Sequence, residues 1–195
     1  MENFIIGSLR EASTALNALI ANDEAVQRIA RAGGILADTF KNGGRVFSCG
    51  NGGSMCDAMH FAEELSGRFR LERKAIPAVA ISDPGHLSCI ANDYGYEFVF
   101  TRYLEAHARP GDCLLAISTS GSSSNVIAAA RFARENGMVV LALTGRAGSD
   151  LGAWADVDIC TPAGPYADHV QELHIKVIHI LIEMVERAMF PENYK

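Results

Sequence analysis

The sequence predicts an α/β fold, a doubly wound five-stranded parallel sheet with two extra N-terminal helices and a buried C-terminal helix. Three observations predict it. After residue 43, five short apolar runs alternate with longer segments of helical period. Buried strands separated by helices pair in parallel through right-handed crossovers. The first and third runs end in Gly- and Ser-rich segments that lead into helices. A chain of 195 residues holds one sizeable core, so residues 1–195 are expected as a single domain: a helical pair over 1–42, then an α/β core and final helix over 43–195.

The opening pair follows from periodicity. Ile6, Leu9, Leu16, Leu19 and Ile20 recur at helical spacing, as do Val26, Ile29, Leu36 and Phe40, and Asn42-Gly43-Gly44 stops the second helix. The strands are expected at Arg45 to Cys49, Ala78 to Ser82, Cys113 to Ser118, Met138 to Thr144 and Val157 to Thr161. The last helix, about Ala167 to Met189, carries Leu173, Ile175, Val177, Ile178, Ile180, Leu181, Ile182 and Val185. So little continuous polar face implies burial on more than one side, and with two extra helices at the start it suggests that subunits pack together.

Composition narrows the function. Hydrophobic residues make up 49% and charged residues 21%, ordinary globular usage. The net charge of -6 with no basic block argues against a nucleic-acid surface, so an anionic ligand needs a local site. Glu2, the absence of an early basic cluster and the amphipathic stretch from Phe4 to Ile20 support neither a signal peptide nor a membrane span. With five cysteines that form no Cys-x-x-Cys pair, the expectation is a cytoplasmic protein with reduced thiols.

Ligands of open α/β sheets gather beyond the carboxyl ends of the strands. There the first strand ends in Ser48-Cys49-Gly50-Asn51-Gly52-Gly53-Ser54, where glycines permit close backbone approach and a helix starting near Ser54 offers free N–H groups. Neither Gly-x-Gly-x-x-Gly nor the Gly-Lys-Ser/Thr ending of a P-loop is present. The third strand ends in Ser118-Thr119-Ser120-Gly121-Ser122-Ser123-Ser124-Asn125, more hydroxyls than one helix cap requires. Hydroxyls and amides of this kind hold a phosphate without a nearby Arg. Four residues apart on the helix after the first loop, His60 and Glu64 share a face, whereas Glu63 is expected to point elsewhere. Gln171 and His179, eight apart on the last helix, lie within about 80° of each other around its axis.

These segments, with Asp57-Ala58-Met59-His60-Phe61-Ala62-Glu63-Glu64-Leu65, Asn92-Asp93-Tyr94-Gly95 and Gln171-Glu172-Leu173-His174-Ile175-Lys176-Val177-Ile178-His179, resemble the SIS-domain family of phosphosugar-binding proteins. Within it they are similar to the phosphoheptose isomerases nearly end to end. The resemblance implies an aldose-ketose isomerase that converts sedoheptulose 7-phosphate to D-glycero-D-manno-heptose 7-phosphate through an enediol, the first step towards nucleotide-activated heptose for lipopolysaccharide. It implies one zinc ion per subunit on His60, Glu64, Gln171 and His179, with Glu64 as general base and His179 as general acid. Substrate contacts are implied at Asn51, Gly52, Gly53, Ser54, Glu64, Asn92, Asp93, Ser118, Thr119, Ser120, Ser123 and Gln171, and secondary roles at Arg68 and Asp168. A homotetramer with active sites at its interfaces is also implied.

Two roles compete at Glu64, because a carboxylate held by a dication is a weaker base; either the metal contact loosens with substrate, or the metal mainly polarises the carbonyl oxygen. Which subunit supplies His179 stays open as well. The family also has a non-enzymatic member that binds the bacterial replication initiator. That alternative, a regulator, requires no acid-base pair, whereas Glu64 and His179 are both present here.

Overall fold

The computed structural model describes residues 1–161 and 163–195. Two helices, α1 (Glu2–Ile20) and α2 (Asp23–Lys41), precede the first strand, as the apolar spacing requires. Asn22 caps α2, its side chain accepting the Ala25 N–H, which satisfies one of the free donors of the first turn. The core then alternates β1 (Val46–Gly50), α3 (Gly53–Ser66), β2 (Ala78–Ala80), α4 (Pro84–Asp93), α5 (Val99–His107), β3 (Cys113–Ser118), α6 (Ser124–Glu135), β4 (Val139–Thr144), α7 (Asp150–Trp154), β5 (Val157–Cys160) and α8 (Ala167–Met189).

All five strands pair in parallel in the order β2-β1-β3-β4-β5. Successive strand residues face opposite layers. Cys113, Leu115 and Ile117 of β3 join the core made with α2, α3 and α8, while Leu114 and Ala116 join the one made with α5, α6 and α7. Both faces are apolar because both are covered. Of the buried stripe of α8, Val177, Ile178, Leu181, Ile182 and Val185 pack with α2 and α3, whereas Val170 and Leu173 sit with Ala163 against Ala15 and Leu19 of α1, and Ile175 and Ile180 are half-buried.

The strand ends differ from the sequence expectation by one or two residues, for identifiable reasons. Arg45 stays outside β1 because its N–H and guanidinium are both taken by Asp112. At the sheet edge β2 stops at Ala80, two residues short of Ser82, and Asp83 then caps α4 by accepting the His86 N–H. By contrast, α1 buries none of its residues, and Phe4, Ile5, Ile6, Leu9 and Ile20 are exposed. No helix among the described residues is long and apolar enough to cross a membrane.

Candidate active site

The strand order reverses between β1 and β3, whose ends lie side by side with Gly50 opposite Ile117. That crevice is where an open α/β sheet takes its ligands. The turn after β1 is tight: a Cβ at Gly50 would lie 2.7 Å from the Ser54 carbonyl oxygen. Gly52 caps α3 with φ 56, a conformation natural to glycine, and provides no side-chain acceptor; the Ser54 and Met55 N–H groups close the turn on the carbonyls of Asn51 at 3.1 Å and Gly52 at 3.0 Å, which leaves the Gly53 N–H facing the crevice. Ser54 is turned inward and buried.

Two asparagines join the loops. Asn51 Nδ2 donates to Asn125 Oδ1 at 2.8 Å, Asn125 Nδ2 donates back to Asn51 Oδ1 at 2.9 Å, and the Tyr96 hydroxyl reaches the same Asn51 oxygen at 3.1 Å. Sequence reasoning missed Asn125 and Tyr96 as site residues. The signal for Asn125 was its place at the end of the serine run; Tyr96 had none, because only folding brings it to Asn51.

Across the crevice the hydroxyls converge. Ser118 Oγ lies 3.1 Å from Ser123 Oγ and 3.4 Å from Ser120 Oγ, and it accepts the Gly121 N–H at 3.2 Å. Ser123 caps α6 without a side-chain hydrogen bond, and although the Val126 N–H donates to Asn125 Oδ1 at 3.0 Å, the Ser124 and Asn125 N–H groups stay available beside these hydroxyls. Gly121, at φ 66, turns the loop against Ser149, whose Cβ would lie 2.3 Å from any side chain there.

A second group of residues meets between α3 and α8. His60 Nε2 and His179 Nε2 are 2.9 Å apart, and Glu64 Oε1 lies 3.6 Å from the same His60 nitrogen. His179 therefore comes to His60 within one chain. Contrary to expectation, Glu63 does not point elsewhere: its Oε1 is 3.5 Å from His60 Nδ1, since residues three apart on a helix also share a face. Phe69 stacks on the His179 ring, with centroids 5.9 Å apart. Burial, with Glu63 nearby, raises the Glu64 pKa. Burial, with His60 beside it, lowers that of His179 and keeps its ring neutral near pH 7.

The donor chemistry fits a divalent cation. One ligand atom each from His60, Glu63 and Glu64 lie within 4.8 Å of one another, and His179 Nε2 faces His60 Nε2. Imidazole nitrogens with a carboxylate suit zinc. Gln171 enters from the loop side, its amide so close to Gly53 that a Cβ there would meet Nε2 at 2.5 Å.

The remaining predicted residues lie further out. Asn92 and Asp93 are exposed at the end of α4, where Asn92 Nδ2 donates to Asp93 Oδ1 at 2.7 Å. Arg68 is exposed and directed towards Glu72, 4.0 Å away. Asp168, on the first turn of α8, lines an open cleft with Phe4, Glu11 and Tyr166. Thr119 is half-buried, and its carbonyl oxygen accepts the Gly145 N–H at 3.0 Å.

Residues 9–145 match the SIS domain family. A phosphoheptose isomerase of Cytophaga hutchinsonii is 55% identical over 189 residues, 97% of this chain and 99% of that protein. One from Proteus mirabilis is 54% identical over 188 residues, 96% of this chain and 98% of that protein. Among solved structures, the phosphoheptose isomerase GmhA of Neisseria gonorrhoeae superposes with a TM-score of 0.82 at 36% identity, covering 95% of this chain and 96% of that one. A phosphoheptose isomerase of Francisella tularensis gives 0.83 at 30%, with the same two coverages.

Proposed function

The chain belongs to the SIS-domain family and, within it, groups with the phosphoheptose isomerases, and on that premise we propose that it interconverts sedoheptulose 7-phosphate and D-glycero-D-manno-heptose 7-phosphate. The observation that carries the reading is the meeting of His60, Glu64 and His179 in a fold that also gathers the hydroxyls of Ser118, Ser120 and Ser123 at the end of β3. Isomerisation moves a proton between the two carbons at the carbonyl end of the sugar, so it needs a base at carbon and a hydrogen-bond donor at oxygen. Glu64 is the base; burial raises its pKa, which brings it nearer the operating pH. His179, a neutral ring, donates a proton to the sugar oxygen from one nitrogen and keeps the other as an acceptor or ligand.

The phosphate sits on Ser118, Thr119, Ser120 and Ser123 and the start of α6, with sugar hydroxyls on Asn51, the backbone of Gly52 and Gly53, and Gln171. Asn92 and Asp93 reach the sugar from the rim, and Arg68 and Asp168 act further out. Ser54, turned inward with its N–H on the Asn51 carbonyl at 3.1 Å, contributes by holding the turn at the start of α3. His60, Glu64, Gln171 and His179 are the residues that would hold a zinc ion. When bound, it supplies a Lewis acid for the carbonyl oxygen and for the negative charge of the enediolate. A carboxylate has two oxygens, so a ligand bond from one leaves Glu64 the other for the proton.

The assembly we propose is a homotetramer that works in the cytoplasm. The exposed apolar residues of α1 support the oligomer, since Phe4, Ile5, Leu9 and Ile20 gain a cover when subunits meet. Proton NMR of the purified protein with sedoheptulose 7-phosphate in deuterated water, with and without zinc, tests the function. Aldose formation with solvent deuterium entering the sugar is expected, fastest with zinc. Neither signal at any zinc level, in folded protein, would refute it and favour a binding role.

A further inference from the structure

Between α3 and α8 lies a buried ion pair that the chemistry above does not use. The side chains of Arg73 and Glu186 are each 1% exposed, and Arg73 Nε donates to Glu186 Oε1 at 2.7 Å. The other guanidinium nitrogens serve the end of α3. One donates to the carbonyl oxygen of Glu64 at 2.6 Å, the other to those of Leu65 at 2.9 Å and Gly67 at 2.8 Å. Helix ends leave carbonyls without partners. Here the residue after α3, Gly67, has φ -90 rather than the left-handed cap that would satisfy them, and a cation takes over that work at the negative end of the helix dipole.

Glu186 stands on α8 seven residues, two turns, beyond His179 and so on the same side of the helix. Its second oxygen is fixed by the Tyr194 hydroxyl at 2.6 Å. Burial, and the hydrogen bond to Glu186, push the Tyr194 phenol up to about 12, which keeps it a donor. Between α3 and Arg73 the chain runs along α8 with two further contacts, Phe69 on His179 and Arg70 on Glu183 at 2.8 Å. One guanidinium thus touches the main chain of Glu64 itself and, through Glu186, the helix that carries His179.

We propose that Arg73 and Glu186 are positioning residues for the isomerisation, setting the separation of Glu64 on α3 from His179 on α8, with Tyr194 holding Glu186 in place. The inference rests on the function proposed above. A buried ion pair is a poor source of net stability, because an apolar pair of similar volume does as well. Geometry is what a planar five-donor fork provides and a point charge does not. Displacing catalytic groups by about 1 Å is enough to cost on the order of a hundredfold in rate.

The test uses the full-length protein with Tyr194→Phe, which removes one hydroxyl, and Arg73→Lys, which keeps the charge and loses the fork. Turnover and KM are measured for each, together with the ring-nitrogen NMR signals of His60 and His179 in 15N-labelled protein. We expect kcat to fall at least threefold in Tyr194→Phe and at least tenfold in Arg73→Lys, with KM within threefold of wild type and both ring signals shifted. Unmoved ring signals in folded Tyr194→Phe, or kcat there within twofold of wild type, would overturn the proposal, whether or not Arg73→Lys folds. If wild type itself does not isomerise the sugar, the proposed function fails, and the ring signals alone decide whether the pair sets the geometry.

Discussion

Replacing Glu64 by Gln separates catalysis from folding. The side chain is 18% exposed, and its nearest charged-group contact, His60 Nε2 at 3.6 Å, is too long for a hydrogen bond. Gln keeps the shape and removes the proton acceptor. A positioned base is worth about a hundredfold or more, so the barrier should rise by about 2.7 kcal/mol or more. Stability should move the other way. Burial raises the folded-state pKa of Glu64 above its ordinary value, so the folded protein holds that proton more tightly than the unfolded chain. Ionising the group as pH rises through these values therefore costs stability, and Gln never incurs that loss. In metal-free protein at pH 7, Glu64→Gln should melt no lower than wild type, and the difference should vanish below the unfolded carboxylate pKa. Initial rates of aldose formation and thermal unfolding across pH check both halves. Turnover within tenfold of wild type, or a clearly lower midpoint at pH 7, would refute the reasoning.

Two further predictions concern the scaffold around the phosphate loop. Gly121→Ala must place a Cβ at φ 66 and 2.3 Å from the Ser149 Cβ. Strain of about 1–2 kcal/mol and overpacking of about 1–3 kcal/mol should lower the midpoint by roughly 4–20 °C in a chain of this size and raise KM for the phosphosugar; an unchanged midpoint in a thermal scan would contradict the loop geometry. His174 is fully buried on α8 with neither ring nitrogen in good hydrogen-bond geometry among the described residues, and burial, opposed only by the nearby Thr144 backbone, pushes its pKa down to about 4. The unfolded chain binds that proton first, so stability is lost as pH falls from the ordinary histidine value towards 4, by roughly 3 kcal/mol in all. His174→Leu should flatten this acid limb in denaturant titrations, and an acid limb of wild-type steepness would rule the assignment out.

The elements legible in the sequence are those whose signal is local. The strand from Cys113 to Ser118 and the helix from Ala167 to Met189 appear over those residues, because an apolar run bounded by turn residues and an uninterrupted helical period both act over a few neighbours. Placing His60 and Glu64 on one face needs only the helical repeat. The same repeat places Glu63 at His60 as well, where a four-residue spacing alone excludes it. Where β2 and β1 begin and end is less legible, since Asp83 and Asp112 compete for the backbone at those points.

By itself the sequence determined the α/β class, the two loops at the strand ends and the residue types that could do acid-base work, because patterning and spacing carry them. Only the tertiary structure decided which of these meet. His60 and His179, 119 residues apart, lie 2.9 Å from each other. Asn51 and Asn125 close the crevice, while Asp168 faces α1. Arg73, which belongs to no sequence motif, ties α3 to α8. The physical reason is that side chains far apart in the chain have no local preference for one another, and packing two helices on one sheet face sets their distance.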